Sequence, residues 1–215
     1  MKTMIIAVCN SKGGVFKTGT AFNLTVFLSK YKPVLVDLDS QKSGTYLNNI
    51  RQQFTESLNV ITINKENELE QIIEQNSTEK LFIIDTGGFD SSLTRIAIIT
   101  ADILISPTSG NVVDLLGLNR FESILKELSN VKGETIKTNV FINDVSPSAK
   151  NFDEIKEFIN SSDNLKLLNS IVRTRADFSN AINKGLSVKE FNPVGKAMLE
   201  FKALTKEIEE LLLKL

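Results

Sequence analysis

Residues Asn10–Thr20 read NSKGGVFKTGT, and the fold turns on whether this stretch is a phosphate-binding loop carrying phenylalanine where such loops carry glycine. The general pattern is G-x-x-x-x-G-K-[ST], in which backbone N–H groups wrap phosphates, the lysine reaches their outer oxygens and the hydroxyl holds Mg²⁺. Lys17 and Thr18 fit, whereas Ser11 and Phe16 stand at the two glycine positions. Context therefore has to decide. On one side lies the apolar run Met4–Cys9, which predicts a buried strand. On the other, Thr18–Lys30 predicts a helix whose first turn offers free N–H groups and a positive dipole end. An ordinary turn between strand and helix has no need of Lys12, Gly13, Gly14, Lys17 and Thr18 together.

Working outward, apolar and β-branched runs recur at Val34–Asp37, Val60–Ile63, Leu81–Asp85, Ile103–Ser106, Val140–Ile142 and Leu167–Ile171. Between or after them, Glu66–Gln75, Asp114–Ser129, Phe152–Ile159, Phe178–Asn183 and Pro193–Lys214 carry helical signals. Ser91–Thr100 is a further helix candidate whose Ile and Thr content also suits a strand. The alternation predicts an α/β fold: a mostly parallel, twisted sheet of about seven strands with helices on both faces. The strands are nearly continuously apolar, as expected where helices cover both sides. Asn143–Lys150, with Pro147, reads as a surface loop.

At 215 residues, 41% hydrophobic and 24% charged, the chain suits a single domain over 1–215. A formal net charge of −1 gives no global pull toward nucleic acid or anionic lipid, so any such binding needs a local patch. The single cysteine, Cys9, agrees with a reducing cytoplasm, and the absence of histidine removes imidazole catalysis and histidine metal sites. The opening apolar run is too short for a signal peptide or membrane span.

Two more strand ends carry acids. VDLDSQ places Asp37 and Asp39 at the C-terminal edge of the sheet, where open α/β proteins put ligands. Such acids can orient water around Mg²⁺ or simply cap a loop. LFIID ends in Asp85 and runs into TGG, the form of a Walker B aspartate followed by a turn able to approach a γ-phosphate. Three strands thus deliver a cradle and carboxylates to one edge.

These residues resemble the ParA/MinD family, SIMIBI-class P-loop ATPases. SKGGVFKTGT is similar to their deviant Walker A box, K-G-G-x-G-K-[ST], whose extra signature lysine is Lys12 here. DLDSQ resembles the family's D-x-D-P-Q with Ser40 replacing proline, and FIIDTGG resembles its Walker B strand. ADILISPTSGNVVDLLGL and the segment from Ile171 to Ile208 are similar to later family segments, so the resemblance spans essentially the whole chain. It favours small ParA-type partition ATPases without an N-terminal helix-turn-helix domain, since the first strand begins at Met4. No basic amphipathic C-terminal tail of the membrane-binding kind is evident.

The resemblance implies ATP or ADP with Mg²⁺ as cofactors and slow ATP hydrolysis. It assigns the nucleotide loop to Gly13, Gly14, Val15, Phe16, Lys17, Thr18 and Gly19, with Asn143 and the backbone near Arg173 toward adenine. Thr18 would ligate Mg²⁺, with Asp39 and Asp85 meeting the metal through water; the catalytic residues would be Lys12, Lys17 on the β and γ phosphates, and Asp39, which positions the attacking water with Asp37 beside it. Lys12 would reach a partner's nucleotide in an ATP-dependent homodimer. The implied function is plasmid or chromosome segregation by a cytoplasmic, nucleoid-associated protein, reset by a ParB-like or small centromere-binding partner. Non-specific DNA binding would use Arg173, Arg175, Lys184, Lys189, Lys196 and Lys202, which a solvated helix face explains equally well. A silent relative acting through partners, or a positioning ATPase for a conjugation or chemotaxis complex, are the alternatives.

Phe16 and Gly19 depart from the family. A bulky residue at positive φ costs on the order of 1–3 kcal/mol, and glycine in a helix is about 1 kcal/mol worse than alanine. Three accounts stand: a shifted loop that still binds ATP, a fold that has lost normal turnover, or an engineered substitution.

Overall fold

The apolar runs become β1 (Met4–Val8), β2 (Val34–Asp37), β3 (Val60–Thr62), β4 (Leu81–Asp85), β5 (Ile103–Thr108), β6 (Thr138–Val145) and β7 (Leu165–Arg173) in a computed structural model, which describes residues 3–75, 81–88, 90–109 and 111–215. They form one seven-stranded sheet of order β3-β2-β4-β1-β5-β6-β7. Every pairing in it is parallel. β1 and β4 lie at its centre and are buried nearly throughout. β7, at an edge, is buried less evenly: Leu165 packs in one apolar layer and Leu168 and Val172 in the other, while Lys166 and Asn169 are exposed.

Period-two alternation sorts each strand's side chains between two apolar layers. Ile5, Ala7 and Cys9 join Val36, Phe82 and Ile84 on one face. That layer is closed by α3 (Glu66–Gln75), α4 (Ser92–Thr100), α5 (Val112–Lys132) and α6 (Asp153–Asn160), through residues such as Leu69, Ala97, Phe121 and Ile155. Ile6, Val8 and Ile83 face the opposite layer. There, α1 (Lys17–Phe27), α2 (Ser43–Arg51), α7 (Ala176–Ile182), α8 (Val188–Phe191) and α9 (Lys196–Leu212) contribute Phe22, Leu47, Phe178, Val188 and Phe201.

The elements differ from expectation where tertiary contacts override local signals. α2, SGTYLNNIR, has weak helical character and was not anticipated; it is anchored by buried Leu47 and by Arg51, whose guanidinium grips both carboxylate oxygens of Glu190 at 2.5 and 2.8 Å. Glu190 also completes a capping box with Ser187 that starts α8, likewise unanticipated. The ambiguous Ser91–Thr100 stretch is helical because Ser91 caps it, accepting from the Thr94 N–H at 3.2 Å. The first helix stops at Phe27 and a 3-10 turn follows at Ser29–Tyr31. Asn143 lies inside β6 rather than after it. Among the described residues, no helix is long and apolar enough to cross a membrane.

Candidate functional site

β1 hands the chain to a loop tied down from beneath. The Asn10 side chain donates to the Pro107 carbonyl at 2.9 Å and accepts from the Lys12 N–H at 3.0 Å. Ser11 Oγ donates to the Gly117 carbonyl at 2.6 Å, fastening the loop to α5. Gly14 takes φ 77°, which glycine adopts freely. Phe16 then takes φ 70° and ψ 33°, the left-handed conformation expected of a glycine position, and stands as N-cap of α1. Its carbonyl accepts from the Thr20 N–H at 2.9 Å and Thr20 Oγ1 at 2.7 Å. No side chain caps this helix start, so its leading N–H groups face the cleft as an anion seat. Lys17 folds back over the loop, donating to the Lys12 carbonyl at 2.7 Å. Burial pulls the Lys17 ammonium below the usual lysine range, opposed first by Asp85 and then by Cys9 and Asp39.

The Phe16 ring does not hang into the phosphate loop. It meets Phe178 edge-on, with centroids 5.4 Å apart and an interplanar angle of 78°. It also lies directly over Gly19, where a Cβ would stand 2.2 Å from ring carbons Cε2 and Cζ. The two departures from the family pattern are therefore one feature: the ring needs the space that a side chain at 19 would fill.

Asp37 and Asp85 are register partners at the ends of β2 and β4, and both are fully buried. Asp37 accepts from the Thr45 N–H at 2.8 Å, Thr45 Oγ1 at 2.9 Å and the Asp39 N–H at 3.2 Å, which builds the loop into α2. Neither oxygen of Asp85 has a hydrogen-bond partner among the described residues. Its carboxyl is pushed up to about 7, chiefly by burial and further by the charges of Asp37 and Asp39, while Thr18 and Lys17 pull the other way. Asp39, partly exposed, lines the cleft and accepts from the Gln41 N–H at 3.0 Å. The turn after β4 closes on the loop so tightly that a Cβ on Gly88 would lie 3.4 Å from the Gly13 backbone and 3.7 Å from Lys17 Nζ.

Lys12 forms an ion pair with buried Asp114 in the first turn of α5. Asp114 also accepts from the Ser109 N–H at 3.0 Å, and its own N–H is capped by Asn111 at 2.9 Å. Lys12 crosses α5 at Gly117, where a Cβ would lie 2.8 Å from the Lys12 Cβ. Sequence reasoning passed over Asp114 and Gly117. A glycine inside a long helix was the available signal, since it marks a close approach.

A cleft of about 750 Å³ opens over this edge, lined by Gly13, Gly14, Phe16, Lys17, Thr18 and Gly19 together with Asp39, Thr86 and Gly88. Val15 is buried behind the loop, where its carbonyl accepts from Asn143 Nδ2 at 3.3 Å. Arg173 is spent on the Ser146 and Ala149 carbonyls at 2.9 and 3.0 Å. Neither Asn143 nor Arg173 lines the cleft. The basic candidates also separate. Arg175 pairs with Glu200 at 2.6 Å, Lys184 lies over the Phe191 ring at 5.4 Å, and Lys196 is exposed at the start of α9. Lys189 and Lys202 share a second cavity of about 680 Å³ with Lys30 and Lys206.

Comparison with known proteins agrees with this geometry. A family model described as an AAA domain matches residues 3–85. Maintenance of carboxysome distribution protein A from Gloeobacter kilaueensis is 32% identical over 114 residues, a stretch covering 52% of this chain and 51% of that protein. The match thus spans about half the length of this curated relative. Among solved structures, the septum site-determining protein MinD of Pyrococcus horikoshii complexed with Mg-ADP superposes with a TM-score of 0.74 at 17% identity, over 98% of this chain and 97% of that one. A plasmid partition protein of Borrelia burgdorferi bound to AMPPNP gives 0.70 at 18% identity, over 100% and 99%. The fold is the parallel α/β fold of P-loop nucleoside triphosphatases. With that fold, the chain is similar to MinD and to the plasmid partition protein along nearly its whole length, and to the carboxysome distribution protein over about half of it.

Proposed function

We propose that this chain is a nucleotide-driven positioning ATPase of ParA type. ATP binds with its phosphates on the start of α1, the ATP-bound chains pair, and slow hydrolysis releases them. The observation that carries the reading is Asp85: a buried carboxylate with two unpartnered oxygens beside Thr18 and Lys17 suits the water shell of a hard cation. Among the described residues, no cluster of three or more ligating acids or thiols could hold a metal unaided, which suits an ion that arrives with its nucleotide. Thr18 would ligate Mg²⁺ directly and Asp85 through water. The ion would neutralise charge on the outer phosphate oxygens.

The chain's own groups supply the rest. Lys17 and the loop N–H groups hold the β and γ phosphates, and Asp39 at the cleft mouth orients the attacking water. Lys12 leaves Asp114 to meet the nucleotide of a second copy, so pairing needs ATP on both sides. The cargo we propose is plasmid or chromosomal DNA, reset by a small centromere-binding partner, with non-specific duplex contacts from Lys189 and Lys202. A second reading, positioning of a protein cargo, is favoured by the similarity to the carboxysome distribution protein.

Sedimentation of the purified chain with ATP, ADP or neither, with and without duplex DNA, tests the reading. A dimer and DNA association that require ATP and weaken steeply with salt are expected. A sedimentation profile indifferent to nucleotide would refute the switch, and an ATP-dependent dimer blind to DNA would favour the protein-cargo reading.

A further inference from the structure

The cleft is lined by two chemically different sets of residues. Gly13, Gly14, Lys17 and Thr18 supply the polar lining suited to phosphate. Phe16, Leu47 and Ile182 supply apolar surface, together with Tyr46, which is 65% exposed. A triphosphate has use only for the polar set. The remaining moiety of a nucleotide, its sugar and base, is the part able to use an aromatic face.

We propose that Phe16 is a specificity-determining residue, its ring forming the wall against which the nucleoside of the bound nucleotide rests, with Gly19 kept free of a side chain so that the ring can lie there. The inference rests on the nucleotide reading above. Phe16 holds a backbone conformation that favours glycine, with φ 70°, so its side chain must offset the strain through contacts; the edge-on seat against Phe178 is such a contact. Gly19 has ordinary helical geometry in α1 and needs no glycine for conformational reasons, yet a Cβ there would stand 2.2 Å from the ring. The Phe16 ring thus covers Gly19 and lines the cleft with it. Stacking on an aromatic ring is open to every base, so the ring distinguishes a nucleotide from a bare polyphosphate.

Calorimetric titration of Mg-ATP, Mg-CTP and Mg-tripolyphosphate onto the parent chain, Phe16→Ala and Phe16→Leu tests the ring. The parent should prefer both nucleotides to tripolyphosphate. Phe16→Ala should lower the ratio of ATP to tripolyphosphate affinity about tenfold, equivalent to about 1.4 kcal/mol. Phe16→Leu, which keeps apolar bulk without the aromatic ring, should lower that ratio by less than Phe16→Ala does. In a parallel melting series, Gly19→Thr should lower the thermal midpoint by several degrees, and Phe16→Gly in the same chain should restore it. An ATP-to-tripolyphosphate preference unchanged in Phe16→Ala overturns the role of the ring alone. Failure of the parent to bind either ligand overturns the nucleotide reading with it.

Discussion

Asp37 and Asp85 are the same residue type, at the ends of adjacent strands, aligned in register and equally buried, yet they do opposite things. Asp37 is saturated by Thr45 and the Asp39 backbone. Asp85 has no partner within hydrogen-bonding distance among the described residues, the Thr18 hydroxyl lying near enough only to oppose the effect of burial, and its carboxyl is pushed up to about 7. A buried polar group left without a partner costs about 1–3 kcal/mol, more when charged. The first acid therefore holds the structure together, and the second weakens the ligand-free fold. In the function proposed above, it is this second acid, which stability alone would discard, that meets the cation.

The contrast breaks if substitutions at the two positions have similar effects. Ranked by change in stability of the ligand-free chain, Asp37→Ala comes first. It strands three donors, two of them on Thr45, and is expected to cost about 3 kcal/mol, or a fall in thermal midpoint on the order of 10 °C. Asp85→Asn should act in the reverse direction. Because the folded carboxyl titrates near 7 against 3.8 for the ordinary group, the unfolded chain releases its proton first, and stability falls as pH rises from about 4 to 7. Removing that charge should stabilise the ligand-free fold at pH 8 by on the order of 2 kcal/mol, flatten the pH profile, and abolish any Mg²⁺ dependence of nucleotide binding. Chemical denaturation between pH 4 and 8 reads both signs, and an Asp85→Asn chain less stable than its parent at pH 8 would end the distinction. Asp39→Ala should change stability least, within about 0.5 kcal/mol, while reducing steady-state ATP turnover by about a hundredfold or more; unaltered turnover would remove Asp39 from the water-orienting role.

The sequence carried the framework well because it was written in strong signals. Continuous apolar strands, their spacing and the acids at their ends predicted the parallel sheet and the edge on which Asp39, Asp85 and the loop meet. Phe16 was legible as a positive-φ position, since the pattern demands glycine there. Where its ring would go was not legible: that depends on Phe178, distant in sequence, and only the packing joins Phe16 to Gly19. α2 was missed because its stability comes from Asp37 and Glu190 rather than from its own composition. The pairing of Lys12 with Asp114, and the employment of Arg173 and Arg175 by carbonyls and Glu200, are likewise long-range events. Charge runs along a sequence do not reveal which cations are already engaged.

The central claim is that Asp85 is reserved for the metal of a nucleotide held at the start of α1. Titration calorimetry of ATP onto the parent chain, in Mg²⁺ and then in excess chelator, tests it most directly. Micromolar binding in Mg²⁺ that weakens at least tenfold on chelation, with no such difference in Asp85→Asn, is the predicted result. Equal affinity with and without Mg²⁺ in the parent chain, or no binding at millimolar ATP, would contradict it.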